Sequence, residues 1–147
     1  MKPMQSYPYC FVCGDKNQYG LNVAFYQMDD KVVAEYVAGS HFQGYKDILH
    51  GGILSALLDE VMIRAVLAQG ILSLTSEIKV RFKKLVKIGD RLFLEGRMVE
   101  DKGRMLLAEG KITNQDNEVV ARGEGKFFKA EGEMEKWLAQ DLEGETA

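Results

Sequence analysis

Residues 50–69 read HGGILSALLDEVMIRAVLAQ, and the fold turns on how this stretch is read. A His and two glycines open it, and about 17 residues of nearly unbroken helical pattern follow, interrupted only by Ser55, Asp59, Glu60 and Arg64. A helix apolar on almost every side is either membrane-spanning or wrapped by protein. This one is short for a bilayer and carries three ionisable groups, so the pattern predicts a central helix enclosed by a sheet.

The glycine pair gives the helix start a chemical use. The first N–H groups of a helix have no intrahelical partners and sit at the positive end of the macrodipole. Without a Cβ at Gly51 or Gly52, a ligand oxygen can approach them closely, as an oxyanion site requires. Asp59 is the odd residue of the apolar run. A carboxylate there is costly to bury unless the chemistry uses it or a structural partner holds it.

Working outward, Gly39 to Ile48 is a polar connection into the helix; His41, Gln43 and Gly44 within it lie just upstream of the glycines. Before it, Leu21–Met28 and Lys31–Val37 read as a hairpin joined at Asp29-Asp30. After it, Gly70 ends the helical pattern. From Ser76 to Phe82 the alternation is clean, with Ser76, Ile78, Val80 and Phe82 on one face and Glu77, Lys79, Arg81 and Lys83 on the other. Ile88-Gly89-Asp90 is a turn, and three long strands follow at Arg91–Glu100, Arg104–Thr113 and Glu118–Phe128. No proline occurs after Pro8 to interrupt their pairing. The predicted architecture is α+β: one antiparallel sheet curled around one long central helix, in a single domain over residues 1–147.

Residues 1–20 form a loop-like arm holding both prolines and both cysteines, and residues 131–147 form a tail in which Met134, Trp137 and Leu138 share one face of a short helix packed on the sheet. Cys10 and Cys13 make a CxxC. It suits half a zinc site completed across an oligomer interface, a redox pair, or a reduced packed pair. With no second CxxC, only His41 and His50 as histidines, and no βαβ pattern, the reduced pair asks least of the chain, and neither metal nor cofactor is expected. The net charge of −3 gives no footprint for nucleic acid. With no apolar stretch of membrane length and no secretory signal after Met1, a cytoplasmic protein without membrane association is the expectation.

The motif HGG at 50–52 with Leu57, Leu58 and Asp59, the strand TSEIKVRF at 75–82 followed by KIGD at 87–90, and the run NEVVARGEGKFF at 117–128 resemble the hotdog-fold acyl-CoA thioesterases, in particular the phenylacetic-acid-pathway type. The resemblance covers roughly residues 20–128. It implies a hotdog fold and hydrolysis of an acyl-CoA to the free acid and coenzyme A, in a homodimer or dimer of dimers. By position, Gly51 N–H would polarise the thioester carbonyl and Asp59 would act as general base or nucleophile. His50 would orient the loop or substrate, and Thr75 would place Asp59 or a water. Gln43, Gly44 and Gly52 would border the substrate, and Lys79, Arg81 and Lys83, with Lys84, would meet the phosphates of coenzyme A. The chain departs from the type at Gly44, where an Asn usually stands six residues before the His, with Gln43 beside it as a substitute amide, and at Leu85, where a proline is common.

One consequence follows from helix geometry. Gly51 and Asp59 are eight residues apart, roughly 12 Å along the axis at about 1.5 Å per residue, while a base must reach within about 3 Å of the water it activates. One copy cannot bring its own carboxylate to its own glycine, so the site is predicted to join Gly51 of one copy to Asp59 of another across a two-fold axis. The alternatives are an acyl-CoA-binding or sensor protein without turnover, a dehydratase, and a purely structural oligomerisation module.

Overall fold

A row of glycines lets the helix lie directly on the sheet. The computed structural model describes residues 1–142. Strands β1 (Lys2–Pro3), β2 (Phe25–Met28) and β3 (Lys31–Val37) come first, then helix α1 (Gly51–Leu67). Strands β4 (Ser73–Phe82), β5 (Arg91–Asp101), β6 (Met105–Thr113) and β7 (Val119–Lys129) follow, and helix α2 (Gly132–Asp141) ends the described chain. The strands form one seven-stranded sheet in the order β1-β2-β3-β5-β6-β7-β4, antiparallel at every pairing. Gly96, Gly110 and Gly123 pair side by side across β5, β6 and β7. A Cβ built at Gly96 would lie 2.3 Å from the Val61 carbonyl oxygen, and one at Gly110 would lie 3.1 Å from Met62 Cγ.

Leu54, Leu57, Leu58, Val61, Met62, Ala65 and Val66 of α1 are buried with Leu92, Leu94, Leu106, Ala108, Ile112 and Phe127 of the sheet. Burial of each Leu, Val or Met side chain contributes roughly 1.5–3 kcal/mol. The entry to α1 is fixed by backbone bonds: His50 N–H donates to the Phe42 carbonyl at 2.9 Å and Leu49 N–H to that of Val86 at 2.8 Å.

The sheet around one helix, the hairpin turn at Asp29-Asp30 and the three long final strands match the sequence-based expectations to within about a residue at most ends. The differences have local causes. β2 starts at Phe25 rather than Leu21, because Asn22 adopts a φ of 52° and Leu21 and Val23 instead bond the arm at Phe11 and Val12. The arm contributes a strand, β1, at the sheet edge. β4 begins at Ser73 and carries a bulge between Thr75 and Glu77. Beyond it Ile78 and Val80 are half-buried between exposed Glu77, Lys79 and Arg81, as the alternation predicts, while Ser76 and Phe82 of the same face are exposed. The helix is not enclosed on all sides: Ile53, Ala56, Asp59 and Ile63, three and four residues apart, form a half-buried stripe. In the tail, α2 forms but buries none of its residues, and Trp137 is exposed; only part of the 131–147 segment lies within the described residues. Among the described residues, no helix is long and apolar enough to cross a membrane.

Candidate functional site

His50 caps α1, and its side chain decides which helix-start donor stays open. Its backbone is extended, and its Nδ1 accepts from the Gly52 N–H at 2.7 Å. With Nδ1 accepting, the neutral ring carries its proton on Nε2. Gly52 N–H is therefore engaged within the cap, while the Gly51 N–H remains at the mouth of an open groove of about 680 Å³. Gly44, Tyr45, His50, Gly51, Leu54 and Phe82 border this groove together with Lys83 and Lys84. Phe82 shields one side of the glycine, since a Cβ on Gly51 would lie 3.5 Å from its ring.

Gly44 packs on the His50 ring: a Cβ there would lie 3.3 Å from both the His50 Cα and Cδ2. Gln43 is turned into its own loop instead. Its Nε2 donates to the Ser40 carbonyl at 2.9 Å and its Oε1 accepts from the Asp47 N–H at 2.6 Å, so the substitute amide expected from the sequence is spent on loop structure.

Asp59 lies two turns along α1 on the half-buried stripe. Thr75 Oγ1, from the start of β4, donates to Asp59 Oδ1 at 2.7 Å. Burial pushes the Asp59 carboxyl above the usual carboxylate range; the Thr75 hydrogen bond opposes this and the neighbouring Glu60 charge adds to it. Within one chain the candidate residues thus fall into two separate groups, one at Gly51, Phe82 and Lys83, the other at Asp59 and Thr75. Lys79 and Arg81 belong to neither. They line a hollow on the outer face of the sheet among Glu95, Arg97, Glu109, Lys111, Arg122 and Glu124, where both charge signs alternate.

Reading the sequence missed the buried centre that holds the arm. Arg64 is 1% exposed. Its Nε donates to Glu60 Oε2 at 3.0 Å, its Nη2 to Cys13 Sγ at 2.8 Å and its Nη1 to the Gln5 carbonyl, and the guanidinium lies over the Tyr7 and Phe25 rings. Cys10 and Cys13 are free thiols; a side-chain hydrogen bond with Cys13 lowers the Cys10 thiol to about 7, and the same bond with burial pushes Cys13 up. An Arg inside an apolar helix run was the available signal, because a buried guanidinium must find several acceptors.

Comparison with known proteins places this geometry. Acyl-coenzyme A thioesterase THEM5 of Mus musculus is 24% identical over 112 residues, 76% of this chain and 45% of that protein. The chain thus spans about half the length of the curated relatives it matches. Among solved structures, the thioesterase superfamily protein RHA08564 superposes with a TM-score of 0.78 at 25% identity, covering 82% of this chain and 60% of that one. A Streptococcus mutans protein bound to acetyl-CoA gives 0.70 at 23% identity, covering 74% and 89%. The E. coli PaaI protein from the phenylacetic acid degradation operon gives 0.71 at 23%, covering 76% and 82%. The last two likenesses are of fold, and they bear out the hotdog arrangement. The thioesterase superfamily profile matches residues 46–121, a span that runs from the loop before the capped helix through the Asp59–Thr75 pair and into β7, and on that match this chain belongs to the thioesterase superfamily.

Proposed function

We propose that this protein is an acyl-CoA thioesterase whose two equivalent sites are each completed by two copies of the chain, with Gly51 N–H of one copy polarising the thioester carbonyl and Asp59 of the other activating water or attacking directly. The observation that carries this reading is the split within one chain: an open helix-start donor in one place, and a carboxylate with raised proton affinity about 12 Å away at 1.5 Å per residue.

The exposed edge of the sheet supports a matching two-fold axis. β4 ends the strand order, so one side of a ten-residue strand without proline has no neighbour among the described residues. Such an edge is a template for a second strand. Ser55 lies midway between Gly51 and Asp59 along α1. Ile78 and Lys79 lie midway between Thr75, which bonds Asp59, and Phe82, which stands against Gly51. An axis passing these two midpoints pairs β4 with its copy and sets two α1 helices antiparallel. It brings the Asp59–Thr75 half of each copy to the Gly51–Phe82 half of the other. The half-buried stripe of α1 is then covered.

In this arrangement the carbonyl oxygen of an acyl-CoA takes up the Gly51 N–H, and charge developing there meets the positive end of the helix. Asp59 in its ionised form takes a proton from a water that adds to the carbonyl carbon, and the tetrahedral intermediate expels the coenzyme A thiolate, which takes up that proton. Alternatively Asp59 adds itself, the thiolate leaves, and a water then hydrolyses the mixed anhydride to the free acid. His50 keeps Gly52 N–H capped, so the oxyanion meets one glycine donor of the pair. Lys83 and Lys84, at the groove, are better placed for phosphates than Lys79 and Arg81.

The engagement of Gln43 within its loop favours one second reading, an acyl-CoA-binding protein without turnover, because the water-positioning amide is not replaced. One experiment separates the two. Free thiol released from short, long and aromatic acyl-CoAs should appear catalytically with at least one class; binding of acyl-CoA with no thiol release from any class would leave only the binding reading.

A further inference from the structure

The fold brings Glu60, from the third turn of α1, to the CxxC of the arm. The ligand atoms of Cys10, Cys13 and Glu60 lie within 4.8 Å of one another, with Cys10 Sγ 3.7 Å from Glu60 Oε1. Tetrahedral zinc, with bonds of about 2.3 Å to sulfur and 2.0–2.2 Å to oxygen, spaces a thiolate and a carboxylate oxygen about 3.5–3.7 Å apart. We propose that Cys10, Cys13 and Glu60 form a site for one zinc ion per chain, a clip between the arm and the central helix.

Three features prepare the site. The loop around the cysteines is closed by the Gly14 N–H donating to the Cys10 carbonyl at 2.9 Å, and it admits no side chain, since a Cβ on Gly14 would lie 2.3 Å from the Pro8 oxygen. The Cys13 N–H points at Cys10 Sγ at 3.5 Å, as it would toward a bound thiolate. Arg64 donates to two ligands at once, to the outer Oε2 of Glu60 and to the ligating Sγ of Cys13, leaving Glu60 Oε1 turned to Cys10. Metal ligands are commonly oriented by such outer partners.

Charge closes on the same set. Two thiolates and a carboxylate against the Arg64 guanidinium leave two negative charges, which one divalent, thiophilic cation neutralises. A second, separate observation lies next to it. Cys10 and Glu60 line a cavity of about 410 Å³ whose wall also holds Ser73, and Ser73 Oγ is buried without a hydrogen-bond partner among the described residues. A buried hydroxyl normally finds a partner. The cavity gives a bound ion an open side for a fourth ligand, with room for a water that also satisfies Ser73.

The test uses the full chain, reduced and stripped with a chelator, then titrated with zinc against a chromophoric chelator and with cobalt(II) in the near ultraviolet. The site predicts one equivalent per chain and a sulfur-to-cobalt charge-transfer band that weakens in Cys10→Ser and in Cys13→Ser. Glu60→Gln, which keeps a side-chain oxygen for Arg64, should lower zinc affinity by more than the roughly 10–100-fold typical of losing an outer partner. The cobalt band of the unaltered protein stands as an independent readout should that variant fail to fold. Absence of the band in the reduced protein overturns the site. So does half an equivalent per chain with the signature of four thiolates, or a Glu60→Gln variant that binds zinc as tightly as the unaltered chain.

Discussion

Thr75 Oγ1 donates to Asp59 Oδ1 across 2.7 Å, tying the start of β4, which pairs with β7 on one side only among the described residues, to the carboxylate on the uncovered stripe of the central helix. The bond fixes the carboxylate toward the edge and opposes, without cancelling, the effect of burial on its proton affinity.

Asp59→Asn should abolish thiol release while leaving acyl-CoA binding and the fold intact, measured by turnover and by ligand titration. Its stability effect has a definite sign. The folded chain raises the Asp59 pKa, so folding is penalised once pH exceeds the unfolded value near 3.9, where the unfolded chain ionises first. The variant removes that penalty while keeping an oxygen for Thr75. Its Tm should exceed that of the parent at pH 7, and the gain should vanish near pH 3.

Thr75→Val removes the interaction that favours ionised Asp59. The acid limb of the kcat/KM profile, which reports the base in the free enzyme, should move to higher pH. At high pH kcat should still fall by about tenfold from loss of orientation, a part of the 10²–10⁴ that a positioned base contributes. A profile with an unmoved acid limb would remove Thr75 from the site.

Gly96→Ala should destabilise the fold by about 3 kcal/mol, the upper part of the range for overpacking, because the added carbon would meet the Val61 carbonyl oxygen at 2.3 Å and neither backbone can yield freely. Gly123→Ala serves as the contrast. Its Cβ would first meet the flexible end of Met62 at 3.4 Å, and denaturant midpoints should place its cost well below that of Gly96→Ala.

Arg64→Met leaves Glu60 without its cation and the arm without its shared donor. Removing one partner of a buried pair costs roughly 3–5 kcal/mol. Amide exchange should rise across residues 1–20 by far more than across β5 to β7.

The fold was legible where hydrophobic period and chain punctuation agree. Gly70, with its φ of 81°, ends the helical segment where the sequence marks it, and the links at 101–103 and 114–117 fall where β5 turns into β6 and β6 into β7, each pair antiparallel neighbours. The glycines of β5, β6 and β7 carried a meaning that periodicity cannot express, since they interrupt strand patterns to admit the helix, its backbone at Gly96 and its Leu58 and Met62 side chains at Gly110 and Gly123. Of the site, the cap at His50 and the Asp59–Thr75 pair lie near each other in sequence or across one short link, and both are brought together. Gln43 reads as a free amide until the loop it braces is seen. The arm's docking centre was hidden because Arg64 and Glu60 are separated from Cys10 and Cys13 by about 50 positions, and only the wrapping of the arm over α1 joins them.

The central claim, that each site takes Gly51 from one copy and Asp59 from another, is tested most directly by mixing two inactive chains. Gly51→Pro deletes the donor while suiting the first helical position, and the extended backbone of His50 tolerates a following proline. Loss of such a donor costs about 10²–10³ in kcat. Co-expressed and purified as a heterodimer with Asp59→Asn, it should restore one intact site of two, giving close to half the thiol release of the unaltered dimer. A heterodimer no more active than either parent would contradict the account.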